Sequence, residues 1–373
     1  MKITPANPLI YDFSRLLSSM QASGEADNLS LNPCLQGITG KVMHWPFIAL
    51  LFEINHTPVA WFAALHTGKE WFSLPHFNNG AYWFHEKEFN TATGNGQKEG
   101  YNKRSFYNHF ILSGEWFNTI PTVDRLLIIS LDEEDMNRAE NLPNTKATSI
   151  KVRDNTVLSE HRLSHKVDSQ LELKKIEEQQ LAELPSAVRR KISKATRNKV
   201  SIQTGGPELL STYYSVYREK IHELGSFALP LGFFERLLKE YTHGDIRLMI
   251  ATYKDKPIGC AVLMTFGHYA ENPWFATLKS HNQLYVSYLL HWEMIKYAIN
   301  SGCNIYSFGY STIQSGVHKY KQQWGAADKL INLNSNHPVS DKLEKKQYLR
   351  SIIKRLPMSF TKWLDQYIAQ RYY

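Results

Sequence analysis

The sequence predicts an α/β (α+β) chain made of two tandem units, each a mixed, mostly antiparallel sheet flanked by helices. Three observations carry that reading. At 373 residues the chain exceeds one ordinary hydrophobic core. Its composition is globular, with 43% apolar and 13% aromatic residues. One layout also occurs twice: a strand, a polar turn ending in Pro, a strand, a turn, and an aromatic-bearing strand.

The first copy is FIALLFEI (47–54), the turn Asn55-His56-Thr57-Pro58, VAWFAALHT (59–67), and a third strand within Lys69–Leu74. The second is RLMIATY (247–253), Lys254-Asp255-Lys256-Pro257, IGCAVLMTFG (258–267), and a third strand near Pro273–Leu278. Trp71-Phe72 then corresponds to Trp274-Phe275, and the chain reads as an internal duplication. Ahead of the first copy, Leu9, Phe13, Leu16, Leu17 and Met20 form a helical stripe. After it come a helical Gly100–Gly114 region, the strand RLLIISL (125–131) and a polar, irregular stretch over 132–165. In the second half, Tyr285–Asn300 is a helix capped by Gly302, and a strand follows over Asn304–Phe308. The expected division is an N-terminal unit (1–165), a charged connection (166–184), a C-terminal unit (185–335) and a helical tail (336–373).

Charge and cysteine content narrow the setting. Lys plus Arg (43) exceed Asp plus Glu (35), a net charge of +8 that suits an anionic partner without requiring one. Cys34, Cys260 and Cys303 are too dispersed for a disulfide framework or a metal cluster. The scattered His44, His56, His66, His76 and His85 are read as non-ligands, and no metal site is expected. The first residues carry Pro and Asp where a signal peptide needs an apolar run. Trp45–Phe52 is too short to span a bilayer. The expectation is a cytoplasmic protein, with peripheral membrane contact left open.

Four segments have chemical potential, each with a plain structural reading beside it. Asn304–Gly325 is a short strand ending at Gly309, then hydroxyls on Tyr310, Ser311, Thr312 and Ser315, then a helical turn with Lys319, Tyr320, Lys321 and Trp324. Hydroxyls and fixed cations at a strand end suit an anionic or carbonyl substrate, or form an ordinary surface loop. PSAVRRKISKATRNKV (185–200) is an acid-free helix whose Arg190, Lys194 and Arg197 share one face, a phosphate-binding stripe or a solvated surface. On the helix 285–300, Ser287 and His291 lie one turn apart on the side facing a core or cleft, where a histidine is either a buried hydrogen-bonding residue or a catalyst. The turn before that helix, Lys279–Leu284, contains no glycine, which disfavours a standard acetyl-CoA pyrophosphate cradle. Within the first copy, LPHFNNGAYW (74–83) is a tight aromatic loop that lines a pocket or simply turns the chain.

The second half resembles the FemAB-like branch of the GNAT acyltransferase superfamily, including its CelD-like members. The resemblance rests on the order of LPSAVRRKISKATRNKV, YREKIHELGSFALPLGFFERLL, IRLMIATYKDKPIGCAVLMTFG, LLHWEMIKYAINSGCNIYSFG and GVHKYKQQWG. It covers about residues 180–335, and only the architecture matches over 1–165. The chain departs from the family pattern at Val286-Ser287, where Pro-Asn is common, and it lacks the coiled-coil arm of the peptidoglycan-building members. The resemblance implies two tandem GNAT-like domains and acyl transfer, acetyl or aminoacyl, from an activated donor to an amine or hydroxyl of a cell-envelope or polysaccharide precursor. It implies acyl-CoA or aminoacyl-tRNA as co-substrate, a glycan, peptide or small-molecule acceptor, and no permanently bound cofactor. It places Lys321 near the transferred carbonyl. Tyr310 or Ser311 would donate to the same oxygen, Trp274 would line the acyl pocket, and Lys319, Tyr320, Ser287 and His291 would complete the substrate contacts. A non-catalytic glycan- or lipid-precursor-binding protein with a degenerate cleft is the alternative from another class.

Overall fold

The computed structural model describes residues 2–5, 13–23, 28–67, 71–74, 80–93, 126–132, 148–151, 157–161, 166–335, 350–358, 361 and 365. The Gly100–Gly114 helical region, Leu9 of the first stripe and residues 75–79 of the 74–83 loop lie outside these. The chain divides into two compact units, 1–166 with 329–340, and 167–328 with 341–373.

In the first unit, strands β1 (Lys2–Pro5), β2 (Phe47–Ile54), β3 (Thr57–His66), β4 (Trp71–Phe72) and β6 (Leu126–Asp132) lie in sheet order. Strand β5 (Ala81–Phe84) also pairs with β3. Strands β7 (Thr148–Lys151) and β8 (Val157–His161) form a hairpin in the stretch expected to be irregular. Helices α1 (Ser14–Ser23), α2 (Cys34–Met43) and α3 (Glu86–Ala92) flank the sheet. Its core is aromatic, with Phe52, Trp61, Phe62, Trp83 and Phe84 fully buried.

The second unit opens with β9 (Lys166–Glu172), α4 (Glu177–Glu183) and α5 (Ser186–Arg197). The charged connection expected over 166–184 is therefore regular structure, and Val167, Leu171 and Leu184 within it are buried. Strands β10 (Ser201–Gly205), β11 (Ile246–Tyr253), β12 (Lys256–Phe266), β13 (Tyr269–Thr277) and β14 (Ile305–Thr312) follow, with sheet order β9-β14-β13-β12-β11-β10. Helices α6 (Leu210–Leu224), α7 (Leu231–Glu240), α8 (Val286–Asn300) and α9 (Gly316–Gln322) complete the unit, and the chain leaves it through β15 (Ala327–Ser335). The packing of α8 on the sheet is apolar, with Leu290, Met294, Ile295 and Ala298 under it.

The duplication is visible in the hairpin registers. Asn55 and His56 are left-handed (φ 49° and 64°), as are Lys254 and Asp255 (φ 50° and 60°). Left-handed residues at both turn positions match the twist of the flanking strands. Glu53 faces Pro58 as Thr252 faces Pro257, each beside a register shift that takes the proline out of the ladder. The same register places Leu65 opposite Phe72 and Met264 opposite Glu271. Phe72, not a tryptophan, therefore matches Glu271, and Ala81-Tyr82 on β5 hold the place of Trp274-Phe275. The expected match of Trp71-Phe72 with Trp274-Phe275 fails because the third strand of the first unit is interrupted between β4 and β5.

Residues 350–358 pack on α6. The Arg218 guanidinium donates to the Met358 carbonyl (2.6 Å), and His222 Nε2 bonds the Leu356 carbonyl (2.9 Å). Gly225 ends α6 at φ 71°, and a Cβ there would lie 2.4 Å from the Arg350 carbonyl oxygen. The Gly225→Ala variant should therefore lose about 1–2 kcal/mol to the left-handed backbone alone, plus the clash. Thermal melting should show a lower Tm, and limited proteolysis should cut the C-terminal segment first.

Candidate active site

The geometry of the site begins where β13 and β14 part. They pair in parallel through Tyr269–Ile305, Ala270–Tyr306 and Glu271–Ser307, and the ladder then ends although both strands continue. On the β12 side, β13 carries a bulge after Glu271, where the Asn272 side chain donates to the Val262 carbonyl (2.8 Å) and Pro273 has no N–H to offer. The strands thus separate at a fork whose last pair is Glu271 and Ser307.

One face of this fork is aromatic and packed under α8. Phe275 stacks on His291 at 4.4 Å, and Phe308, Tyr320 and Trp324 surround the same imidazole. His291 is 3% exposed and its Nδ1 bonds the Tyr306 hydroxyl at 2.8 Å. Burial, with Lys321 nearby, pushes its pKa well below the usual histidine range. His291 is placed as a neutral core residue. Ser287 sits half-buried beside the buried Tyr320 hydroxyl.

The opposite face carries charge. Asp168 of β9 is fully buried and accepts from Ser307 Oγ (2.5 Å), Gln170 Nε2 (2.8 Å) and the Tyr269 hydroxyl (3.3 Å). Glu271 is 2% exposed, and its Oε1 has no hydrogen-bond partner. Lys321 is 5% exposed and donates from Nζ to the carbonyls of Gly309 (2.5 Å) and Tyr310 (3.0 Å). Burial raises both carboxyls above their ordinary range, Glu271 further still because Asp168 is close, while the Lys321 charge pulls both down. Two buried acids and one buried ammonium therefore share the sheet face at the fork.

The expected stop at Gly309 does not occur. Gly309 adopts φ 75°, its N–H donates to Ser307 Oγ (2.9 Å), and β14 continues to Thr312. Lys321 Nζ satisfies the Gly309 and Tyr310 carbonyls, which lie beyond the end of the β13–β14 ladder.

The remaining candidates scatter. The Tyr310 side chain is 54% exposed and only its carbonyl meets Lys321, whereas Ser311 is buried with its hydroxyl unpartnered. Trp274 lies on the charged face with its edge against Phe233 and Phe234 of α7 (both 5.3 Å). Lys319 points to solvent. Arg190, Lys194 and Arg197 are exposed on α5, with Lys194 Nζ 5.6 Å from the Tyr285 ring centre. Lys191, a cation of the same segment outside the expected stripe, turns inward to the Tyr288 hydroxyl and Gln323 Oε1 (both 2.8 Å). Sequence reasoning missed Asp168 and Glu271. The available signal was an acid inside an otherwise buried strand. Among the described residues, no group of His, Cys, Asp and Glu could hold a metal, and no helix is long and apolar enough to cross a membrane.

Residues 185–322 match the model of the acetyltransferase (GNAT) domain. The UDP-N-acetylmuramoylpentapeptide-lysine N(6)-alanyltransferase of Weissella viridescens is 22% identical over 128 residues, 34% of this chain and only 37% of that enzyme. The FemX crystal structure superposes with a TM-score of 0.63 at 11% identity, over 95% of this chain and 100% of FemX. The C-terminal domain of a putative lysylphosphatidylglycerol synthetase from Agrobacterium fabrum gives 0.50 at 9% identity, over 91% and 95%. At 11% and 9% identity these are likenesses of fold.

The buried carboxyl makes a stability prediction with a definite sign. Because the folded pKa of Glu271 lies above its unfolded value, its contribution is fully present below about pH 4.5 and lost as pH rises towards the folded value. The Glu271→Gln variant escapes this loss. Its Tm relative to the parent should therefore rise between pH 4.5 and pH 8, measured by melts across that range.

Proposed function

We propose that this chain, whose residues 185–322 match the acetyltransferase (GNAT) domain and whose fold is similar to that of FemX, transfers an aminoacyl group from an activated ester to an amine on a cell-envelope precursor. The observation that carries the reading is the forked strand pair with Lys321 bonded to the Gly309 and Tyr310 carbonyls of β14 and Glu271 at the apex. In this reading the acceptor amine attacks the donor carbonyl beside the fork. Glu271, kept basic by its raised pKa, accepts the proton that the amine loses. The Lys321 charge stabilises the oxyanion, which collapses to an amide as the donor oxygen leaves with the proton that Glu271 took up. The role resembles that of an oxyanion hole supplied by an ammonium. Trp274 and the α6–α7 aromatic cluster supply the apolar wall.

Three features favour an aminoacyl ester on tRNA over acyl-CoA. The α8 side of the fork is filled by the Phe275–His291 stack, which a pantetheine arm between the strands would have to displace. The 279–285 turn already uses its amides internally, His281 N–H to Leu278 and Tyr285 N–H to Asn282, so few remain for a pyrophosphate. The exposed Arg190, Lys194 and Arg197, with Lys191 behind them, offer charge to a nucleic-acid backbone. The acceptor class rests on the alanyltransferase relative, and a cytoplasmic site of action follows from a tRNA donor.

Mass spectrometry of acceptors incubated with charged tRNA or acyl-CoA tests the reaction. With the productive donor, Lys321→Ala should lower kcat roughly 10²–10³-fold, the range for losing one oxyanion-stabilising group, in a protein that still melts cooperatively. Unchanged turnover would refute the assignment. Neutralising Arg190, Lys194 and Arg197 together should flatten the salt dependence of tRNA binding by about 1 in slope per lost phosphate contact. An unchanged slope would remove the stripe from the donor site.

A further inference from the structure

Lys321 sits on a helix too short to hold its place without tertiary contacts. Helix α9 spans Gly316–Gln322, and isolated helices shorter than about 12–15 residues are marginal in water. On one side Tyr320 packs against His291 and Tyr288; on the other a buried polar clamp centred on His318 sets its position. The Ser315 hydroxyl caps the helix by accepting from His318 N–H (3.2 Å). The His318 ring is 5% exposed; its Nδ1 accepts from Gln314 N–H (3.0 Å), which leaves Nε2 as the protonated nitrogen. Nε2 donates to Asp328 Oδ2 at 2.6 Å, and Asp328 Oδ1 accepts from Ser169 Oγ of β9 at 2.7 Å. Gln322 Nε2 reaches the same Asp328 Oδ2 at 3.3 Å.

His318 and Lys321 are one turn apart on α9, and β9 carries both ends of the arrangement: Ser169 holds Asp328, and the adjacent Asp168 faces Ser307 and the Lys321 charge. We propose that His318 and Asp328 are positioning residues for the transfer, setting the place of the Lys321 ammonium against the Gly309 and Tyr310 carbonyls through the rotation of α9. The inference rests on the reading of Lys321 given above. It assigns the clamp a role in the rate of the chemical step, because a displacement of about 1 Å at a reacting centre costs on the order of 10²-fold. Neither residue touches substrate in this role, so substrate affinity should be nearly unaffected.

The test is a double-mutant cycle with a conservative control. Asp328→Asn keeps the shape but cannot accept from both Ser169 and His318 through the same oxygens. His318→Gln retains an N–H donor near the Nε2 position. Both are checked by thermal melting before kinetics with the productive donor. Asp328→Asn should lower kcat about 10-fold or more with KM changed by less than about twofold, and His318→Gln should retain most of the rate. In the Lys321→Ala background, Asp328→Asn should produce no further loss. An equal loss in both backgrounds, or a change confined to KM, would overturn the proposal while leaving the Lys321 assignment intact. A Lys321→Ala enzyme with full activity would overturn the parent reading and this one with it. Should Asp328→Asn fail to fold, Ser169→Ala enters the same cycle with the same expected outcomes.

Discussion

A buried ammonium must be balanced, and the second unit is arranged around that requirement. Lys321 reaches two backbone carbonyls of β14 and lies in the field of Asp168 and Glu271. Each partner comes from a different part of the chain. Asp168 arrives on β9, Glu271 on β13, the carbonyls on β14 and the lysine on α9. Isolated burial of any of these charges would cost several kcal/mol, so the cluster forms only when all four elements meet. The Gly309 and Tyr310 carbonyls lie just beyond the point where β13 and β14 part.

The two faces of the sheet divide labour accordingly. Under α8, apolar and aromatic side chains from Leu290 to Trp324 provide the stability, with His291 kept neutral among them. The other face holds the acids and leads to the aromatic cluster of α6 and α7, where Tyr213, Phe233, Phe234 and Trp274 are buried. The first unit repeats the hairpin, its turn and its register, yet has Phe72 and Leu127 where the second has Glu271 and Ser307. The duplicated architecture therefore carries the charged apex in the second copy alone of these two pairs.

Much of this was legible in the sequence because it is local. The hairpins follow from buried β-rich runs punctuated by polar turns, and α8 from its long apolar pattern bounded by Gly302. Lys321 stood out through the ordered resemblance of its segment. Its acidic partners did not, since Asp168 hides in a charged stretch that reads as a connection and Glu271 is a single acid in a strand. Their meeting is a contact between distant segments, which periodicity does not report. The strand beyond Gly309 was hidden for the same reason, because its carbonyls are satisfied by a side chain 11 and 12 residues away. The third strand of the first unit misled through composition: Trp71-Phe72 resembles Trp274-Phe275 in type but not in register.

The most direct measurement of the central claim is the affinity of a phosphonate analogue of the tetrahedral intermediate, built on the aminoacyl donor and amine acceptor. An ammonium aimed at a developing oxyanion should bind that analogue far better than it binds the ground state. Isothermal titration should show the analogue weakened roughly 10²-fold or more by Lys321→Ala, with ground-state acceptor binding nearly unchanged. Equal weakening of analogue and ground-state ligand, or none for either, would contradict the account.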